Sequence, residues 1–170
     1  MLKFKYRWGN DKILSQLFVL HQGLLQTIEA DSLAGHTAIM QLSLSVRIAE
    51  EFHSKEEASM PLGDLVRMAK RCGYDAICMR ASQVGVQSPP EIVEVATDCL
   101  AESGLAVSMV TGDFDTVYNN EKGPSALTNI TPYLDLAKRL GAPRIRVALK
   151  HESDIANARR AADEAAEHGI

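Results

Sequence analysis

Three basic side chains stand where parallel α/β proteins do their chemistry, at the carboxyl ends of strand-like segments. Arg47 closes LSLSVR (residues 42–47), Arg80 closes DAICMR (75–80) and Lys150 closes RIRVALK (144–150). Alternate residues of a strand share a face. The apolar face of the first segment, Leu42, Leu44 and Val46, suits a helix layer, which turns Ser43, Ser45 and Arg47 inward. The same parity sends Ile77 and Met79 outward, with Ala76, Cys78 and Arg80 inward. It sends Ile145, Val147 and Leu149 outward, with Arg146, Ala148 and Lys150 inward. Cations converging on a low-dielectric interior are costly unless anions accompany them. Two readings follow: an anionic ligand such as a phosphate or carboxylate, or pairing with the local acids Glu50, Glu51, Asp113, Asp115 and Glu152.

Other candidates lie in the loops after these segments. Gln83 follows Arg80, and GDFDTVYNN carries Asp113, Asp115 and Asn119. The two aspartates are either a catalytic or metal-binding pair or the caps of a turn. Asn119, beside Tyr118 and Asn120, makes a substrate-contacting loop tip. His151 stands at the mouth next to Lys150, whereas His53 reads as a solvated loop residue and His21, His36 and His168 carry no site. GxGxxG, GKS/T, GxSxG and HExxH are all missing, so dinucleotide, P-loop, serine-hydrolase and zincin chemistry lack their main supports.

The elements that must position these residues are punctuated by glycine. Gly73, Gly104, Gly141 and Gly169 each follow a helical pattern and precede an apolar run, recurring at intervals of about 30 residues. Helices are expected over residues 61–71, 88–102, 125–140 and 153–168. Strands are expected over 42–47, 75–80, 105–111 and 144–150, with Ile170 opening a fifth. Ser88-Pro89-Pro90-Glu91 has the form of a capping box with proline at the first helical position. Pro132 should break the third helix, with Thr131 capping the restart, and Ser153 should cap the fourth. In the third strand Val107 and Met109 face outward and Ser108 inward. Short αβ and long βα connections place any site at the strand carboxyl ends.

Bulk properties narrow the class. A net charge of −4 and a pI near 5.7 give no electrostatic case for nucleic acid or an anionic membrane. No window is apolar enough to span a membrane. Cys72, Cys78 and Cys99 have no paired or metal-ligand spacing, which fits reduced thiols in the cytoplasm. The 170 residues make one domain with a core, short of the roughly 250 of a complete eight-stranded barrel. Residues 1–39 read as a poorly ordered or partly helical extension, with Met40 as an alternative start of translation. Ser15, Gln16, His21 and Gln22 interrupt the one stretch there that hints at a signal peptide.

From Met40 onward the chain resembles the sugar phosphate isomerase/epimerase group with the xylose isomerase-like TIM barrel. The resemblance rests on MQLSLSVRIAEEF, MPLGDLVRMAKRCGYDAICMRASQVGVQSPPEIV, GLAVSMVTGDFD and NITPYLDLAKRLGAPRIRVALK. It implies a truncated (βα)8 barrel of about four βα units over residues 40–170. It also implies a divalent cation at the mouth, polarising a hydroxy-ketone while carboxylates move a proton between neighbouring carbons. The ligands of that cation belong to strands five to eight, outside this half. The xylose isomerase and endonuclease branches also place histidines after strands two and three. Here those positions read Arg80-Ala81-Ser82-Gln83 and Thr111-Gly112-Asp113, which argues against the endonuclease branch. The resulting expectation is a half of a metal-dependent isomerase or epimerase of a sugar or sugar-like keto compound, inactive alone. A dehydratase or lyase on the same barrel, and a half-barrel binding or assembly module, are the alternatives. The substrate-binding set is Arg47, Arg80, Gln83, Asp113, Asn119, Lys150 and His151, and self-association through open sheet edges is expected.

Overall fold

The computed structural model describes residues 40–170, so the expectations for residues 1–39 lie outside the described residues. Along the chain, β1 (Ser43–Ser45) leads into a 3₁₀ turn, Val46–Ala49, and then an antiparallel hairpin of β2 (Glu50–Glu51) and β3 (Ser54–Ala58). Next come α1 (Leu62–Arg71), β4 (Ala76–Arg80), α2 (Pro90–Ser103) and β5 (Ala106–Thr111). A short helix α3 (Phe114–Tyr118) and a 3₁₀ segment (Gly123–Leu127) precede α4 (Thr131–Arg139) and α5 (Asp154–Glu167). The main sheet is parallel in the order β1-β4-β5, the order of a barrel wall, and it is not closed. The four glycine joints hold: Gly73, Gly104, Gly141 and Gly169 all take positive φ, between 66° and 78°. A side chain there would be strained, and the cap lets each helix stop one or two residues before the chain turns back.

The parity argument holds for β1 and β4. Val46, Ile77 and Met79 are fully buried against Leu65, Val66 and Ala69 of α1 and Val93, Ala96 and Leu100 of α2. Burying each such large side chain stabilises the fold by about 1.5–3 kcal/mol. In β5 the expectation fails at Met109. Ile77 pairs with Val107, yet Cys78 pairs with Met109, so the register shifts and Ser108 is the extra residue. The bulge turns Met109 onto the inward face with Cys78 and sends Val110 into the helix-side core instead.

Two strands are shorter than expected. β1 stops at Ser45 because its hydroxyl accepts from Arg47 N–H at 3.3 Å, closing the 3₁₀ turn. Residues 144–150 make one parallel bridge, Ile145 beside Val110. Val110 N–H donates to Arg144 O at 3.0 Å and Arg146 N–H to Val110 O at 2.8 Å. The ladder then runs out, since Gly112 O, the next acceptor on that side of β5, takes Val86 N–H at 2.7 Å.

The caps also differ. The Ser88 hydroxyl accepts from Gly85 N–H, holding the preceding turn, and α2 starts at Pro90 without a side-chain cap. The third helix does break before Pro132, but Thr131 donates to Glu164 rather than capping. Asp154, not Ser153, caps the last connection by accepting from Lys150 N–H (2.8 Å) and His151 N–H (2.9 Å). Those two bonds hold the Asp154 carboxyl below the usual carboxylate range. The charged segment after β1, expected as a loop, is the β2–β3 hairpin.

Candidate functional site

The inward face of the sheet is polar. Ser43 and Ser108 hydroxyls meet at 2.6 Å across β1 and β5, and Ser45, Cys78 and Arg80 continue the face toward the strand carboxyl ends. Burial pushes the Cys78 thiol up in pKa, while Arg80, Arg146 and the Ser45 hydroxyl pull it the other way.

At the mouth Arg80 points inward as expected, but it is not a free cation. Its Nε donates to Glu50 Oε1 at 2.6 Å and its Nη2 to Glu50 Oε2 at 3.2 Å, a two-pronged pair with both side chains under a tenth exposed. Ser82 Oγ donates to Glu50 Oε1 at 3.1 Å. Glu50 opens the hairpin, so the pair ties the first βα connection to the end of β4. A bidentate guanidinium–carboxylate pair is both strong and geometrically specific. Arg80 Nη1 has no bonded partner among the described residues.

The other expected residues are placed as follows. Arg47 lies in the 3₁₀ turn beyond β1 and is exposed, because the strand ends two residues earlier than the alternation suggests. Gln83 donates to Met60 O at 2.8 Å, bracing the start of α1. Asp113 caps α3, accepting from Thr116 N–H at 2.5 Å and from the Tyr133 hydroxyl. Burial, and then the bond to Asp113, push the Tyr133 phenol well above its ordinary pKa. Asp115 accepts from Asn120 at 2.8 Å, so the two aspartates shape the third βα connection rather than forming a pair. Asn119 takes a left-handed conformation (φ 54°) and its carbonyl accepts from Lys150 Nζ at 2.7 Å. His151 and Glu121 approach to 3.4 Å on the surface. The residues that sequence reading missed are Ser82 and Tyr133. Pairing of an inward cation with the local acid Glu50 is one of the two readings of the sequence, and it is the one found at Arg80, whereas nothing in the local pattern marks Tyr133.

The mouth is thus a chain of tied connections. Glu50–Arg80 joins the first to the second, and Val86–Gly112 the second to the third. Lys55 N–H donates to the Tyr118 hydroxyl at 3.1 Å, joining the first to the third. Lys150–Asn119 joins the third to the fourth. No cluster of three His, Cys, Asp or Glu side chains among the described residues could hold a metal ion. No helix among them is long and apolar enough to cross a membrane.

No family model matches the chain, and no curated protein matches it by sequence. Solved structures do match. A D-allulose 3-epimerase from Methylomonas sp., determined in complex with D-allulose, aligns with a TM-score of 0.52 at 20% identity. That match covers 77% of this chain and 49% of the epimerase. A probable 3-DHS dehydratase from Bacillus anthracis aligns with a TM-score of 0.51 at 15% identity, covering 77% and 50%. A xylose isomerase domain protein from Planctomyces limnophilus gives 0.50 at 16% identity, covering 76% and 51%. The fold of residues 40–170 is that of the xylose isomerase-like TIM barrels, and the chain spans about half the length of the barrels it matches.

Proposed function

We propose that this chain contributes the first four βα units of a barrel that isomerises or epimerises a neutral sugar or sugar-like keto compound. The observation that carries the substrate class is the Glu50–Arg80 pair. It cancels the charge of Arg80, the cation buried at the mouth among the described residues, while Arg47 has left the strand and Lys150 is turned onto the Asn119 carbonyl. A phosphate would need uncompensated cations to offset its desolvation. Hydroxyl and carbonyl oxygens need directed donors and acceptors, which Arg80 Nη1, Ser82 and the Ser43–Ser108 face supply. The fold shared with a D-allulose epimerase solved with its sugar supports this reading. In it, Arg80 orients a substrate oxygen and Glu50 fixes the guanidinium plane. A divalent cation would polarise the keto group, but the described residues offer it no donor set. Its ligands would have to come from elsewhere in the complete barrel.

The test is calorimetric titration of D-allulose, D-fructose and their phosphate esters on the complete barrel protein, paired with deuterium exchange into the sugars from D₂O with manganese or magnesium added. The neutral sugars should bind and the esters should bind more weakly. Tighter binding of the esters would overturn the neutral-substrate reading. Exchange absent from every sugar would overturn the isomerase or epimerase reading.

A further inference from the structure

We propose that the β2–β3 hairpin is a fixed roof over the mouth, latched by Tyr118, which confines the site to free monosaccharides. This inference rests on the sugar reading above and adds the size of the substrate. The main sheet runs β1-β4-β5, and the hairpin follows the end of β1. Its first residue, Glu50, is bonded to Arg80 and Ser82 at the end of β4. Its second arm is bonded to Tyr118, in the connection after β5. A segment tied at those two places lies across the carboxyl end of β4. Burial agrees with that course: Arg80 closes β4 at the mouth, yet it is only 6% exposed.

The hairpin is shaped for the crossing. Glu50 pairs with Ala58 and Glu51 with Ser54, so the register slips and residues 55–57 are left over. Such a slip bends a ribbon and re-aims the residues within it. Lys55 is one of them. Its N–H donates to the Tyr118 hydroxyl at 3.1 Å, and its Nζ lies 5.2 Å from the centroid of the same ring. Tyr118 thus holds the hairpin through a hydrogen bond and a cation–π contact. At the base, Ser59 closes the ribbon by donating to Ala49 O from its N–H at 2.7 Å and its Oγ at 3.1 Å. Clamped at Glu50, closed at Ser59 and latched at Lys55, the roof bars any substituent that extends outward past β4. A free ketose fits beneath it, and a ketose carrying a second sugar unit meets the hairpin. Tyr118 is a positioning residue, acting on the substrate only through the hairpin.

The test has two arms on the complete barrel protein, and the first does not depend on the sugar. Phenylglyoxal labelling, read by peptide mapping, should modify exposed Arg71 quickly and Arg80 hardly at all. Tyr118→Leu removes both latch contacts and should speed labelling of Arg80 about tenfold while leaving Arg71 unchanged. Tyr118→Phe keeps the ring beside Lys55 and loses only the acceptor, so a rise of about threefold is expected in a variant of nearly native packing. The second arm is calorimetry with D-fructose and with isomaltulose, a fructose bearing a glucosyl unit. The parent should bind isomaltulose roughly 100-fold more weakly, and Tyr118→Leu should narrow the gap to roughly tenfold. Parent Arg80 labelled as fast as Arg71, or a rate at Arg80 that neither variant changes, would overturn the roof. Equal affinity of the parent for both sugars would overturn the size limit. If neither sugar binds, the sugar reading fails and the size limit with it, while the labelling still decides the roof.

Discussion

Replacing Glu50 with alanine strands a guanidinium. The substitution removes both acceptors of Arg80, at 2.6 and 3.2 Å, and the acceptor of Ser82 at 3.1 Å. Arg80 is only 6% exposed, so water replaces few of these bonds while the backbone holds its place in β4. Breaking one partner out of a buried pair costs about 3–5 kcal/mol, chiefly the desolvation of the charge left behind. For a domain of this size, that corresponds to a fall in melting temperature of roughly 6–20 °C. Urea unfolding at pH 7 should show the loss as a lower midpoint with an unchanged slope. The companion variant Glu50→Leu/Arg80→Met removes both charges and should lie within about 1.5 kcal/mol of the parent, or above it. The difference between single and double variants isolates the pair from the packing. If Glu50→Ala costs under about 1 kcal/mol, the pair behaves as a solvated surface contact, and the tie between the first two connections is wrong.

A Cβ on Gly112 would lie 2.7 Å from Tyr133 Cδ1, so Gly112→Ala should cost about 1–3 kcal/mol in chemical unfolding, and Tyr133→Leu should recover part of it. Tyr133 should stay protonated when ultraviolet absorbance shows the ordinary tyrosines ionising near 10.0. Since its folded pKa is raised, its contribution to stability is complete below that pH and is lost as pH rises above it, a slope that Tyr133→Phe should abolish. Asp154 titrates below 3.8, so its contribution is present above that value and lost as pH falls through the lowered one; carbon-detected NMR of the carboxyl should place the midpoint there. Iodoacetamide at pH 8 should label exposed Cys72 well before half-buried Cys78, and equal rates would show that the inward face is open to reagent.

Much of this architecture is legible without coordinates because its signals are local. A glycine after a helix has one favoured role, and four in series gave four left-handed caps. Alternation in LSLSVR and AICMR fixes which side chains meet the helices, because a half-turned strand would bury serine and arginine among leucines. Alternation cannot announce a bulge, so Met109 changed faces. Nor can it say where a ladder ends. β1 ended when a serine hydroxyl captured a backbone N–H, and the fourth strand ended when Gly112 O turned to Val86. Both are contests between hydrogen-bond partners that the pattern of apolar residues does not register.

The mouth was the harder part for a related reason. Parity places Arg80 correctly, yet parity is silent about charge, and the meaning of a buried arginine lies in what faces it. Glu50 lies 30 positions upstream, in a segment whose run of acids and lysines looks like solvated loop. It becomes a partner only because Ser45 ends β1 early and the chain folds into a hairpin over the strand ends. One local bond, from Arg47 N–H to Ser45 Oγ, therefore carries Arg47 out of the site, and the hairpin that follows sets Glu50 against Arg80. Ser45→Ala probes that link directly. Without the hydroxyl the 3₁₀ turn should loosen and the grip of Glu50 on Arg80 weaken, and Lys55 and Glu56 amides should exchange faster while Ile77 and Met79 remain protected. Unchanged exchange in the hairpin would mean that the turn is held by its packing through Val46 and Ala49, not by the serine.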